Sequence, residues 1–551
     1  MADFAFRALE FHSSRMWQWA QVERALDLME RVGLNALIFH QNDIIEHLVL
    51  PEALFPDALM WKRWPVRLHS VHQNRHYVNK VVRAAEARGI SFLLEVKEIW
   101  FVDELLELKP ELRRGDGTVD PENPFWWEFL DLKMRELLRA VPGLAGVIVS
   151  PGTRESKVSI ATHSAGIDPV EWYAKLLGAM HRPLAEAGKR FAVRDFSYTA
   201  DQQSRMIEAA GRVSPDIVIS LKNTPHDYYP TFPTNPRIGH TGAHPQWVEF
   251  DTWGQFFGLG IFPVSVVEDM QERMRQCLAA GVQGISLRTD WEVITDHGAL
   301  NSPNLLNVIG GAMLSQDVGR DLSGIYDAWM SHGLLSPMRT ASELETAVVV
   351  EGQDARARLE AFMKASWTVM EGAAYVRGHL FHEDDQYPDT LDKAFGMLVD
   401  IHGRDEWEPG ASRLVEPTNA NIAVILEEKR AALEAVRRLP EVLGAETLGL
   451  PAAQAAEFTT MLDLYERWVR GFELCARTVF LTRKAERSGA PGDADDALAT
   501  VGPMRDFARE TSARLEGTDF SHVVYWMLDT GRLESLAADA ERRLAALPAL
   551  A

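Results

Sequence analysis

The chain has 551 residues, 46% of them hydrophobic and 25% charged, an ordinary globular balance that excludes disordered, collagen-like and disulfide-scaffold architectures. Its 57 Lys and Arg against 79 Asp and Glu give a net charge of −22, a field that repels nucleic-acid backbones and anionic membrane surfaces. Cys277 and Cys475 form neither a CxxC pair nor a metal-ligand cluster, which fits a reducing compartment. The start, MADFAFRALEFHSS, lacks the basic head and apolar stretch of a signal peptide, and no window reaches the roughly 18 apolar residues of a membrane span, so a cytoplasmic location is the expectation.

Up to about residue 330, short β-like runs alternate with amphipathic helical stretches. In chain order the expected strands are Phe4–Glu10, Ala36–His40, Ser91–Val96, Gly146–Ser150, Arg190–Asp195, Asp216–Leu221, Gln246–Asp251 and Gly284–Arg288. Between them lie expected helices such as Trp19–Val32, His76–Ala87, Trp126–Ala140, Pro169–Ala187 and Val267–Ala280, each ending near a glycine suited to a C-terminal cap. Eight such units, with no GxGxxG or Walker turn after the first strand, predict a TIM (β/α)8 barrel over 1–330 rather than a doubly wound open sheet. The rest, 331–551, reads as an α-helical domain, with helical periodicity over Glu343–Val376, Ile422–Arg438, Ala452–Arg487 and Ala497–Glu516 and a loop at Ser488–Asp496. That half is expected either to pack on its own barrel or to form a homodimer interface, and nothing local decides between them.

In a TIM barrel the loops after the strands' C-terminal ends build the active site. Here those positions are rich in charge: Glu10 and His12, His40, Glu95 and Lys97, Arg154 and Glu155, Arg194, Lys222, Asn223 and Asp227, Glu249, Asp251 and Gln255, then Arg288, Asp290 and Glu292. Trp100, Trp126, Trp127, Tyr228, Trp253 and Trp291 are interleaved with them. Acids beside aromatic rings suit carbohydrate, which offers apolar faces to rings and hydroxyls to charged groups. His12, His40, His72 and His76 show no tight ligand spacing, so no metal and no cofactor are expected.

The segment RFAVRDFSYTADQQSRMIEAAGRVSPDIVISLKNTPHDYYPTFPTNPRIG, followed by HPQWVEFDTWGQFFG, resembles the barrel of the α-glucuronidases of glycoside hydrolase family 67. There an Arg-containing strand end precedes a Lys-Asn-Gly-Pro-x-Asp signature. Upstream, DPENPFWWEFLDLKMRELLRAVPGLAGVIVSPGTRES is similar to that family's Trp-Trp helix, strand and Ser-Glu acid loop, and downstream NLLNVIGGAMLSQDVGRDLSGIYDAWMSHG is similar to its lead into a helical domain. The likeness covers roughly residues 30–330.

The resemblance implies an exo-acting, inverting, cofactor-free hydrolase that releases a terminal uronic acid of the glucuronic type from an oligosaccharide. Glu155 matches the general acid and Asp227 a member of the general-base pair. Arg194 and Lys222 match substrate-contacting groups, with Asn223, Glu249, Asp251, Trp253 and Arg154 as further candidates. Inversion needs a protonated carboxyl at the leaving oxygen and a carboxylate for water on the opposite face, roughly 6.5–9.5 Å apart. Two departures stand out. The family's second base glutamate falls on Gln255, whose amide takes up no proton at neutral pH. The acid loop is a residue longer and reads Ser150-Pro151-Gly152-Thr153-Arg154 where the family has a lysine before its acid. They keep open a hydrolase of another terminal sugar and a catalytically silent carbohydrate-binding barrel, and a metal-dependent isomerase or aldolase is the remaining enzyme class.

Overall fold

The computed structural model describes residues 2–152, 155–160, 166–195, 200–294, 297–338, 347–400 and 404–547. Eight parallel strands close into a barrel in chain order: β1 (Phe6–Phe11), β2 (Ala36–His40), β3 (Ser91–Lys97), β4 (Leu144–Ser150), β5 (Arg190–Arg194), β6 (Val218–Lys222), β7 (Gln246–Asp251) and β8 (Gly284–Arg288). The expected strands coincide with these to within two residues at either end, because Val-, Ile- and Phe-rich runs bounded by turn residues have no competing helical period.

Alternate residues of each strand face the barrel interior. Toward the N-terminal ends they are apolar and form one cluster that includes Phe6, Ala8, Ile38, Leu93, Ala192 and Trp247. Two residues further along the same rows come Glu10, His40, Glu95, Arg194 and Glu249, all buried. The interior thus passes from an apolar floor to a charged layer beneath the mouth. At the floor, Phe6 and Trp247 stack with ring centroids 3.7 Å apart, and Gly284, paired with Phe6 in the register, leaves them room. A Cβ there would lie 2.4 Å from the Trp247 ring. Gly284→Ala is therefore expected to cost about 1–3 kcal/mol by overpacking, read as a lower urea midpoint at unchanged slope.

Helices cover the barrel, among them Trp19–Val32, Pro65–Glu86, Phe125–Ala140, Pro169–Glu186, Ala200–Val213 and Val267–Ala279. The first ends at Gly33, whose left-handed φ of 76° lets its N–H reach the Met29 carbonyl. The second starts earlier than expected, at Pro65, because the polar stretch VRLHSVHQNR hides its apolar stripe.

A helical region follows, built on Gln353–Ala374, Asn419–Leu443, Ala452–Ser488, Val501–Glu516 and Thr530–Ala545, and the helix Leu322–His332 spans the expected boundary at 330. Two elements differ from expectation. The presumed loop Ser488–Asp496 carries the start of a helix, Pro491–Leu498, with proline in its first turn where no N–H is needed. The helix expected over Glu343–Val376 begins only at Gln353, with Val348 bridged to Leu334 before it, and stops at Ala374, where Tyr375–Val376 (β9) pairs antiparallel with His379–Leu380 (β10). Arg377 and Gly378 between them have φ of 51° and 76°, the left-handed pair that a two-residue hairpin turn requires. The hairpin reaches the barrel loops: Thr231 Oγ1 donates to the Gly378 carbonyl at 2.9 Å and Tyr375 OH to that of Phe256 at 2.7 Å. No helix among the described residues is long and apolar enough to cross a membrane.

Candidate active site

A cavity of about 330 Å³ opens at the C-terminal ends of the strands. Lys97, Arg194, Lys222 and Arg288 reach it from β3, β5, β6 and β8, and Glu155, Asp227, Gln255, Trp291 and Glu292 from the loops that follow β4, β6, β7 and β8. The hairpin and the turn after it add His382, Glu383 and Asp384.

The charged layer beneath is an interlocked network. Arg194 holds Glu249 by two bonds, Nε to Oε2 at 2.5 Å and Nη2 to Oε1 at 3.0 Å, and also donates to Tyr228 OH at 2.6 Å. Its Nε lies 3.3 Å from Glu95, which accepts from Ser150 Oγ at 2.8 Å. The Arg194 guanidinium is paired with Glu249 and Glu95 and at the same time lines the cavity. Burial alone would raise the Glu249 carboxyl, and the Arg194 guanidinium overrides it and holds Glu249 well below the usual carboxylate range. Glu10 goes the other way, raised by burial and by the neighbouring Glu249 and Glu95 charges.

Glu155 lies 3.2 Å from the buried Lys97 ammonium and is 41% exposed, on the rim. Its loop starts at Gly152, whose N–H donates to Glu98 at 2.6 Å; burial lifts that carboxyl to about 7. Asp227 sits in a tight turn with φ of 44°, its carbonyl accepting from Thr224 Oγ1 at 2.7 Å, and its carboxylate is paired with Lys222 Nζ. Burial lowers the Lys222 ammonium and the Asp227 charge opposes that. Tyr228 lies beneath two cations, Lys222 at 4.7 Å and Arg288 at 5.2 Å from its ring centroid.

Gln255 is fixed by its neighbours. Arg288 Nη1 donates to its carbonyl oxygen, so its NH2 group points the other way and donates to Asp384 Oδ1 at 3.3 Å. Arg288 Nε is buried with no hydrogen-bond partner among the described residues, an unspent donor in the cavity wall.

Four candidates from the sequence are placed elsewhere than in the cavity lining. Asp251 accepts from the backbone N–H groups of Trp253, Gly254 and Gln255, at 2.9, 3.2 and 2.7 Å, and so shapes the loop that presents Gln255. Trp253 is fully buried, with its carbonyl held by Asn304. Asn223 serves through its backbone, its N–H donating to the Glu249 carbonyl at 2.9 Å, and Glu249 lies in the layer below. Arg154 falls outside the described residues. Trp126 and Trp127 pack against Phe101 and Trp172, whereas Tyr228 and Trp291 line the cavity.

Of the four histidines, His72 and His76 are exposed on one helix, while the rings of His12 and His40 lie 3.6 Å apart. Glu10, His12 and His40 could bring three ligand atoms within 4.8 Å of one another. His40 Nδ1 meets Glu10 within the trio at 2.7 Å and His12 Nε2 pairs with Glu292, while His40 Nε2 is buried with no hydrogen-bond partner among the described residues. Burial, then the charges of His12, Lys97, Arg194 and Arg288, push the His40 imidazole well down, and a divalent cation would meet the same positive surroundings.

His382, Glu383 and Asp384 escaped the sequence reading. Their signal was the stretch HEDDQYPDT, acidic and proline-containing within an Ala-, Leu- and Arg-rich helical half.

No protein-family model and no curated protein matches the chain. Among solved structures it is similar to an enzyme of glycoside hydrolase family 138 targeting pectin rhamnogalacturonan II, with a TM-score of 0.62 and 11% identity over 92% of this chain and 62% of that one. The chain thus spans less than two thirds of that enzyme's length. Lower scores are found with an O-GlcNAc hydrolase of Thermobaculum terrenum (TM-score 0.44, 12% identity, 100% of this chain and 96% of that one). A family 20 exo-β-N-acetylglucosaminidase of Vibrio harveyi follows (0.40, 14%, 60% and 57%). These neighbours are glycoside hydrolases, and what the chain shares with the family 138 enzyme is its fold: an eight-stranded parallel barrel followed by helices.

Proposed function

We propose that the protein is a glycoside hydrolase that removes a terminal uronic acid from an oligosaccharide with inversion. The observation that carries this reading is the Arg288 guanidinium in the cavity wall. Lys97, Arg194, Lys222, Arg288 and Lys393 line the pocket together with the carboxylates Glu155, Asp227, Glu292, Glu383 and Asp384, and among these cations Arg288 keeps an Nε that no described residue engages. A sugar carboxylate is a natural acceptor for such a guanidinium. Trp291, Tyr229 and Phe256 offer apolar faces for the ring beside it.

The α-glucuronidase resemblance supports the same substrate class, and so does the family 138 enzyme, since pectins are polymers rich in uronic acid. In this reading Glu155 gives its proton to the departing oxygen, and water is activated from the Asp227 side. Their strands β4 and β6 are two steps apart in the sheet, about 10 Å at the usual strand spacing, which leaves room for a water and a sugar ring.

The test is a pair of oligosaccharides identical except at C6 of the terminal sugar, carboxylate in one and alcohol in the other. The uronide is expected to have the larger kcat/KM by on the order of 10–100-fold, the worth of one or two charge-assisted hydrogen bonds, and Arg288→Met to erase most of that preference. Equal rates on the two substrates would remove the uronic acid from the proposal.

A further inference from the structure

We propose that Asp384, carried into the barrel mouth by the helical region, is the base that takes the proton from the attacking water. This rests on the hydrolase reading above. Water's oxygen attacks the anomeric carbon, the glycosidic bond breaks with its electron pair going to the leaving oxygen, and Glu155 protonates that oxygen. The proton shed by the water then passes to the Asp384 carboxylate.

Four features of the structure point to this residue. Asp384 lines the cavity together with Asp227 and Gln255. It is held there firmly: Trp526 Nε1 donates to its carbonyl at 2.9 Å, Trp468 Nε1 donates to the Asp385 carbonyl at 2.9 Å, and the Asp385 carboxylate accepts from the Gly258 N–H at 2.9 Å. The backbone itself is unusual, since Asp384 and Asp385 have φ of 48° and 63° in a left-handed region that costs non-glycine residues energy and that persists where surrounding contacts enforce it.

The third feature is the bond from Gln255. Because Arg288 fixes the amide's oxygen, the side facing Asp384 is a donor, which suits a carboxylate. It engages Oδ1, and Oδ2 makes no hydrogen bond among the described residues, so one oxygen is left for water.

The fourth is the contrast with Asp227, whose carboxylate is neutralised by Lys222 and is the weaker base for it. The charged groups acting on Asp384 are Asp227, which lines the same cavity, Glu383 on its own turn and Arg288 from β8, while Glu383 is itself paired with Lys393 and Arg532. Burial first, then the Asp227 and Glu383 charges, raise it to about 7 against the opposing Gln255 bond and Arg288 charge. A base poised near the working pH is the effective one. Asp227 and its lysine are then left to orient the water.

The sign of the pH dependence follows. A base must be unprotonated, so wild-type kcat/KM on a uronic-acid-capped oligosaccharide should fall tenfold per pH unit below about 7. Asp384→Asn should lower kcat by on the order of 10²–10⁴ and flatten that acid limb, with Asp384→Glu restoring part of the rate. Free glucuronic and galacturonic acid, titrated calorimetrically, should bind the Asn variant within a few-fold of wild type, which shows that the site is folded. An Asn variant as active as wild type, or a limb falling above pH 7 instead of below it, would overturn the assignment. If wild type ignores uronides but cleaves neutral glycosides, and the Asn variant does not, the uronic-acid reading fails and the base assignment stands. Wild type inactive on every glycoside overturns both.

Discussion

Glu155→Gln is expected to lower kcat/KM on a uronic-acid-capped oligosaccharide by on the order of 10²–10⁴, the range of a lost general acid. The same variant should lose far less on an aryl uronide, whose leaving group departs without a proton. Asp227→Asn should depress both substrates alike, because attack by water does not depend on the leaving oxygen. The two carboxylates are thereby told apart by leaving group and not by the size of the loss. Glu155 sits on the rim after β4, 41% exposed beside Lys97, whereas Asp227 lies deeper, 18% exposed, beside Lys222. Equal losses of Glu155→Gln on both substrates would show that Glu155 is no proton donor.

Arg194→Met should have the largest effect on stability, about 3–5 kcal/mol, as expected when one partner of a buried ion pair is removed and the others remain. Glu249 and Glu95 would be left without their cation, close to Glu10 and His40 in the same dry layer. The pH dependence has a definite sign. In wild type, Glu249 is held below its unfolded value, so its contribution is present above about pH 4.3 and is lost only as pH falls through the depressed folded value. In the variant the buried carboxyls lose that stabilisation and burial raises them, so stability is lost as pH rises past the unfolded value. Thermal melts of the two proteins should therefore differ most near neutrality and converge toward pH 4–5. A gap that stays constant with pH would mean that Arg194 contributes by packing alone.

Much of this architecture was legible in the sequence. Strands such as Ala36–His40 and Gly284–Arg288 match to the residue, because each is a short, largely apolar run that ends on a polar side chain. The same alternation marks the interior: Ala8 then Glu10, Ala192 then Arg194, Trp247 then Glu249. Glu155, Asp227, Lys222, Arg194 and Gln255 were found by that logic and by motif, and all of them line the cavity.

What stayed hidden depended on contacts distant in sequence. Nothing in DTWGQ reveals that Asp251 turns back onto its own backbone and that Trp253 is buried behind Asn304. Nothing in HEDDQ shows that Trp468 and Trp526, more than eighty residues further on, clamp that turn over the barrel. Gln255 is the instructive residue. In the sequence it is a carboxylate missing from its expected place, and in the structure its amide reaches another carboxyl, Asp384, delivered from the helical half.

The most direct test of the central claim is proton NMR of the first turnovers on a uronic-acid-capped oligosaccharide. Free uronic acid should appear with the anomeric configuration opposite to that of the glycoside, before mutarotation mixes the anomers. Release with retained configuration would contradict direct attack by water between two carboxylates, and the absence of any uronic acid from substrates in both anomeric configurations would contradict the function itself.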